Sequence, residues 1–312
     1  MTNRMPPTQQ IYKGIYLEKL IMAFLVVAIH TTNWTLMGLL ETAVPWFFLA
    51  SGFFLFGKLN GDKEKDLCAI RNWTWKVLKL YIIWTIIYLP FAVIGFWQDQ
   101  LPFSKSVVVW LRNVILVGEN YLSWPLWYLL ALVWDGALIW LMRRIGIPLW
   151  AMCLIGLSLY LFADLYPLEE ISVYARLFKT TRNGVFVGLL FVTGGGIIRQ
   201  WETKNLVHNP VLWDILLVVV SFIGFQFSHL LLPALAASLF LISLRLKLPQ
   251  LKVKTAILIG TVSKYVYLTH MVFAGLLVLL AGFSRGPLLY LVTVVMATLV
   301  SLLLSSSLKK TG

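Results

Sequence analysis

Charge is what this sequence has least of. Asp, Glu, Lys and Arg make up 12% of its 312 residues, against 60% hydrophobic residues. A soluble domain carries about a quarter charged residues, so this chain cannot clothe a water-facing surface. Acids are scarcer still: 13 against 26 Lys and Arg, for a formal net charge of +13. In a soluble chain that excess points to nucleic acid. Here the basic residues sit between apolar runs, as in the cytoplasmic loops of membrane proteins, and no nucleic-acid partner is expected. Only two cysteines occur, Cys68 in a charged loop and Cys153 in an apolar run, which excludes a disulfide framework. The four His residues show no H-x-x-x-H spacing and no clustering with Cys or Asp, so neither metalloprotease chemistry nor a metal site is expected. No Walker A motif supports ATP-driven transport, and there is no internal repeat. The polar first ten residues carry no cleavage-site pattern and lead into an apolar run, so a retained signal-anchor helix is expected.

What is present is apolar length. A bilayer core of ~30 Å needs roughly 20 apolar residues per helix. Ten runs, at about 16–36, 43–58, 75–97, 124–142, 147–165, 183–199, 211–228, 229–246, 256–280 and 286–308, read as spans of a single all-α, polytopic membrane domain over 1–312. The 14 Trp, 12 Tyr and 19 Phe suit interfacial belts. The run 106–117 is too short to span and contains Arg112, so it is read as an interfacial helix on the outer side. With the N-terminus inside, 20 of the 26 basic residues face the cytoplasm; Lys105, Arg112, Arg176, Lys179, Arg182 and Arg285 lie outside. That bias places both termini in the cytoplasm.

Ionisable groups inside spans are costly and so become functional candidates. His30 lies in the outer half of the first span, eleven residues and about 16 Å beyond Lys19. Asp135 falls mid-span in the fourth run, His270 mid-span in the ninth, and Arg182 with Asn183 at the outer end of the sixth. Ser51 could face the same interior. Imidazole is the natural general base near neutral pH. The stretch RNWTWKVLK, Arg71–Lys79, places Arg71, Lys76 and Lys79 where the phosphates of a cytoplasmic donor could be held as by point charges. Each group also has a plainer reading. A lone His bonds a neighbouring helix, Asp135 is a structural ion pair or a protonated acid, Arg182 is an interface anchor, and Arg71–Lys79 is an ordinary basic flank.

Five stretches in order resemble the membrane acyltransferase 3 family. EKLIMAFLVVAIHTTNW resembles its opening helix, with Lys19 where the family usually has Arg and His30 eleven positions later. VPWFFLASGFFLF, from Val44 to Phe56, resembles the signature VP-x-FF-x-x-SG-[FY]. Lys76 and Lys79 fall at the family's basic positions on the third span. LWYLLAL resembles the fourth-span motif, with Pro125 where the family often has His. VSKYVYLTH resembles the late motif ending in YL-x-H. TRNGVFVGLLFVTGGGI, Thr181–Ile197, is similar to the membrane half of vancomycin-resistance serine racemases, and the chain is expected to lack the racemase half.

The resemblance implies an O-acyltransferase of the bacterial cytoplasmic membrane. It would pass an acyl group, usually acetyl, from cytoplasmic acyl-CoA to a hydroxyl of an envelope glycan or lipid-linked sugar outside. Acyl-CoA is then a co-substrate, with no tightly bound cofactor. His30 is the implied catalytic base, oriented by His270 or Asp135. Lys19, Arg71, Lys76 and Lys79 would engage the donor, and Arg182, Asn183 and Ser51 the acceptor. The racemase branch leaves a second reading open, a transporter of a small polar solute such as L-serine, with Gly194–Gly196 as a broken-helix site or a place of close packing.

Overall fold

A computed structural model describes residues 12–34, 36–100, 102–166, 168–181, 183–204 and 211–308. The described residues contain helices and no strand. In chain order these are α1 (Lys13–Thr31), α2 (Ala43–Phe56) after a 3-10 turn at Leu36–Thr42, α3 (Lys63–Ile87), α4 (Leu89–Asp99), α5 (Phe103–Arg112), α6 (Leu126–Arg144), α7 (Leu149–Leu165), α8 (Ser172–Phe178), α9 (Leu189–Thr203), α10 (Val211–Phe227), α11 (Leu232–Arg245), α12 (Val253–Ala281) and α13 (Pro287–Leu308). Helix is what hydrocarbon demands, because each backbone N–H and C=O must then find its partner within the segment.

Six helical segments are long and apolar enough to cross a bilayer: Lys13–Thr31, Gly38–Phe56, Leu126–Arg144, Gly184–Thr203, Val253–Ala281 and Pro287–Ser306. The pair Lys63–Ile87 and Leu89–Asp99, bent by 52°, makes a seventh if it is one span. The ten spans expected from sequence also include three shorter apolar helices, Leu149–Leu165, Trp213–Phe227 and His229–Arg245. Large apolar side chains stand uncovered along whole helix faces, among them Leu288, Leu291, Val295 and Leu299 on α13 and Ile82, Ile83 and Ile86 on α3. Such stripes would drive aggregation in water. Against lipid tails they are ordinary surface.

The chain forms two compact units, residues 1–50 with 202–312, and residues 51–201. In the first, α1 packs on α11, α12 and α13, and α10 pairs with α11. Hydrophobic drive between helices is absent in lipid, so close approach relies on small residues. A Cβ at Gly14 would lie 2.1 Å from the Ser243 carbonyl oxygen, and one at Gly260 would lie 2.4 Å from the Tyr16 ring. Arg245 Nε meets Asp214 Oδ2 at 2.7 Å with both side chains largely buried. Ser243, Ser301 and Ser305 turn their hydroxyls back onto carbonyls of their own helices, which satisfies them without a partner helix.

In the second unit α3 packs along α6. Asp62 caps α3 by accepting from the Glu64 and Lys65 amides, and the buried Asp66 carboxylate takes Arg143 Nη2 at 2.8 Å. The third apolar run, 75–97, is not one straight helix: α3 begins twelve residues earlier and the chain bends at Tyr88, where Pro90 occupies the first turn of α4. Proline fits there because a first-turn amide has no helical acceptor, whereas in mid-helix it would break the ladder. Lys76 and Lys79 therefore stand midway along α3 rather than at its start.

The short outer run forms α5, followed by a π-helical turn, Asn113–Val117. The Ser-Gly pair of α2 has two separate tasks. Ser51 Oγ hydrogen-bonds Tyr128 Oη at 2.8 Å. A Cβ on Gly52 would fall 1.9 Å from the Val192 carbonyl oxygen, so α2 and α9 touch backbone to backbone there.

Gly52→Ala should therefore force the helices apart and cost ~1–3 kcal/mol, as overpacking does. Gly286→Ala, whose Cβ would meet nothing within 4 Å, should stay within about 0.5 kcal/mol of the parent. Melting of the purified protein in detergent separates the two. Equal melting temperatures for Gly52→Ala and the parent would contradict the packing.

Candidate functional site

The first unit brings two of the sequence candidates together. His30 is the penultimate residue of α1, because the helix stops at Thr31. Thr31 and Thr32 donate their hydroxyls back to the Val27 and Ala28 carbonyls at 2.7 and 2.8 Å. The Thr31 carbonyl accepts the Gly286 amide at 2.9 Å, which ties the end of α1 to the connection between α12 and α13. That connection begins at Gly282, φ +68°, in the left-handed conformation that glycine adopts at helix C-termini.

His270 lies at the middle of α12 with no exposed surface. Its ring stacks on that of His30, centroids 5.5 Å apart and planes inclined by 26°. Nδ1 of His270 lies 2.7 Å from the Tyr267 carbonyl and 3.3 Å from that of Val266. Carbonyls only accept, so Nδ1 carries the hydrogen and the lone pair of a neutral ring sits on Nε2. That buried nitrogen has no hydrogen-bond partner. The contact with His30 is thus face to face, not a hydrogen bond that would orient the His30 ring.

Behind the pair stands an aromatic wall. Tyr267 meets His270 at 6.1 Å and Phe47 at 5.4 Å, and Trp46 edges both Phe47 and Phe240. Trp34 and Tyr290 close over the end of α1 at 5.3 Å.

Toward the start of α1, Ser263 Oγ donates to the Lys19 carbonyl at 2.9 Å. The ammonium of Lys264, the next residue, lies near enough to repel that of Lys19 and sits 4.2 Å over the Tyr265 ring. Glu18 lies against Ser243 and Trp46. Lys264 is a candidate that sequence reading counted only as topology charge. Its signal was position: α1 and α12 each carry a Lys before a His, Lys19 before His30 and Lys264 before His270.

The second unit holds the other candidates. Asp135 on α6 is completely buried, and neither carboxyl oxygen has a hydrogen-bond partner. It faces the π-helical turn Gly184–Gly188. A Cβ at Gly188 would lie 2.2 Å from its Oδ2, and one at Gly184 would lie 3.1 Å from its Oδ1. The two glycines, four residues apart, make a cradle whose shape is the carboxyl group. π-Turns occur often at functional sites.

Asn183 caps this turn, its Oδ1 accepting from the Phe186 amide at 3.1 Å while its Nδ2 approaches the Tyr174 hydroxyl at 3.3 Å. The polar groups of Asn183 and Ser51 are thereby engaged in the fold. Arg182 lies outside the described residues. Arg71, Lys76 and Lys79 are exposed on α3, with Lys79 Nζ 5.4 Å over the Trp75 ring. Between α5 and α8, Arg112 donates to the Arg176 carbonyl at 2.8 Å. Partial burial, with Arg112 nearby, pushes the Lys179 ammonium below its usual pKa against the opposing pull of Glu119 and Asp99. Among the described residues no three His, Cys, Asp or Glu side chains converge on a metal position.

These features define a multi-pass helical membrane protein with a paired-histidine site at the end of its first helix. The chain belongs to the acyltransferase 3 family, whose acyltransferase-domain model matches residues 14–306. It is 28% identical over 243 residues to a serine/alanine racemase of Enterococcus gallinarum, covering 70% of this chain and 33% of that one. It is also 28% identical over 295 residues to an amino-acid racemase of Enterococcus faecalis, covering 82% and 40%, and 29% identical over 226 residues to another from that species, covering 63% and 30%. The chain thus spans two fifths or less of the length of these relatives. No solved structure matches it.

The cradle makes a testable coupling. Gly188→Ala alone should destabilise by ~1–3 kcal/mol through the clash with Asp135. Asp135→Ala should remove most of that cost in the double variant, giving a coupling of at least ~1 kcal/mol in a melting-based cycle. Strictly additive effects would mean that the two side chains do not meet.

Proposed function

We propose that the protein is a membrane O-acyltransferase that carries an acyl group, acetyl in the simplest case, from cytoplasmic acyl-CoA to a sugar hydroxyl outside. The observation that carries this reading is the stacked His30–His270 pair at the end of α1, in a chain of the acyltransferase 3 family. His30 is the half-buried member of the pair and is the general base. It takes the proton of the acceptor hydroxyl as that oxygen attacks the thioester carbonyl. The tetrahedral intermediate then collapses with breakage of the C–S bond. The departing thiolate takes the proton from the imidazolium, so an ester and free CoA thiol leave together. His270 fixes the His30 ring by stacking.

The donor's phosphates are met by cations. In the first unit Lys19 and Lys264 are like charges near one another, which favours an anion beside them; in the second, Lys76 and Lys79 are exposed on α3. The orientation follows from the basic-residue bias, which puts these lysines on the cytoplasmic side of the cytoplasmic membrane. Arg182, at the outer end of the sixth run, is the candidate to bind the acceptor or to stabilise the developing oxyanion.

A second reading, passage of a small polar solute such as serine, is favoured by the similarity to the Enterococcus gallinarum serine/alanine racemase. It also suits the unpartnered carboxyl of Asp135, since ionisable groups within spans often mark solute or proton paths. Uptake of labelled serine into proteoliposomes lacking acyl-CoA would establish it. Acyl-CoA-dependent release of CoA thiol would establish the transferase.

In the transferase assay, His30→Ala should insert and melt normally yet lose ~10²–10⁴-fold in thiol release, the range expected for a general base. Full activity in that variant would remove His30 from the chemistry. Lys19→Ala with Lys264→Ala should weaken acetyl-CoA binding, read by direct titration, and binding unchanged in that double variant would detach the two lysines from the donor.

A further inference from the structure

The second unit contains a basic cavity centred on Arg71, a residue that the sequence resemblance gives to the acyl donor. On α3, Arg71, Thr74, Trp75 and Leu78 fall at i, i+3, i+4 and i+7, one face of a helix. With Ala137 and Trp140 of α6 they line a cavity of about 470 Å3. A second cavity of about 520 Å3 adjoins it through Arg71 and Trp140 and extends to Lys63, Glu64 and Arg144. The first is walled chiefly by indole rings and aliphatic carbon, the second by charge. Arg71 stands at the junction.

The charges facing the polar end are uneven. The Asp66 carboxylate is taken by Arg143 and by the Asn60 amide. Asp62 is spent on capping α3 and on Lys65 at 3.3 Å. Glu64 alone remains against Lys63, Arg71 and Arg144, and Arg144 is steadied over the Trp140 ring at 5.2 Å. Of the basic donor candidates on α3, Arg71 lines both cavities, whereas Lys76 and Lys79 line neither, although Lys79 Nζ lies over the Trp75 ring.

We propose that this is a binding site for an anionic glycerophospholipid, with the phosphate held by Arg71 and Arg144 and one acyl chain laid in the apolar cavity against Trp75 and Leu78. Three cations against one carboxylate select a negative headgroup, as basic pockets between membrane helices do. The adjoining apolar volume selects a ligand with a hydrocarbon chain over a free phosphate, and over a donor carrying only a short acyl group. The apolar cavity lies beside Gly136, where α6 and α3 are in close contact because the Thr74 hydroxyl occupies the space of a Cβ. The proposal rests on the second unit alone and does not depend on the acyltransferase reading.

The test is thermal stability and native mass spectrometry of the full chain in detergent, titrated with phosphatidylglycerol, phosphatidylcholine, inorganic phosphate or acetyl-CoA. Phosphatidylglycerol should raise the melting temperature and remain bound in the spectrometer, while phosphatidylcholine and inorganic phosphate should do neither. The Arg71→Gln, Arg144→Gln double variant should bind phosphatidylglycerol roughly thirtyfold more weakly, the loss expected for two basic groups near a membrane surface. Ala137→Phe, which fills the apolar cavity and leaves the charges in place, should weaken it as well. An equal shift with inorganic phosphate would reduce the site to an anion site and overturn the proposal. Displacement of the lipid by acetyl-CoA would overturn it in favour of the donor, and so would retention of the lipid shift in both variants. A transferase assay decides the other reading independently.

Discussion

Close contact between helices, bought with small residues, is the constraint on which the rest of this structure depends. Lipid gives helices no hydrophobic reason to associate, so packing and interhelical hydrogen bonds must supply it. In the first unit the approach of α1 to its neighbours is permitted by Gly14 and Gly260, and that approach sets His30 face to face with His270. In the second unit Gly52, Gly156, Gly184 and Gly188 each bring backbone or a carboxyl group within reach of a neighbouring helix. A methyl group at any of these positions would move a helix before it touched a functional side chain.

Polar groups follow from this packing in two ways. Most are discharged locally: Thr31, Thr193, Ser301 and Ser305 bond back to carbonyls three or four residues earlier. Others are left without a hydrogen-bond partner. Nε2 of His270 and both oxygens of Asp135 are among the buried atoms of this kind, as are the Thr293 and Thr298 hydroxyls. An unmade hydrogen bond in a low-dielectric interior costs ~1–3 kcal/mol or more, so a fold that keeps such groups has kept them against their cost. His270 spends Nδ1 on two carbonyls and holds Nε2 in reserve, the pattern by which one nitrogen of a histidine fixes the state of the other.

Much of this was legible in the sequence. The all-helical class followed from the apolar runs, whereas the pairing of α1 with α12 was not read from them. The short run around Arg112 read as a separate helix because it was too short to span, and α5 occupies that place. The extent of α1 was not legible. Its apolar run continues to Leu36, but the helix ends at Thr31, where the backbone turns to the extended conformation at Thr32. The bend at Tyr88 was hidden inside an unbroken apolar run, although Pro90 was its signal. The cradle around Asp135 depends on a π-turn, and nothing in TRNGVFVG specifies an extra residue per turn.

The sequence motifs also carried two kinds of residue under one appearance. Ser51 and Asn183 were candidates to bind an acceptor because they are polar groups at conspicuous places. Ser51 hydrogen-bonds Tyr128, and Asn183 caps the turn that faces Asp135. Each holds a helix contact in addition to presenting a polar group, so loss of either loosens that contact. His30 differs because its helix ends beside it and its ring meets another imidazole across a helix interface. What separates a builder from a chemical group in such a protein is whether the fold consumes its polar atoms. Conspicuous polarity alone does not decide it, because a lipid-facing chain must satisfy nearly every polar group it buries. By that criterion the Nε2 of His270 and the carboxyl of Asp135 stand apart from the hydroxyl of Ser51 and the amide of Asn183.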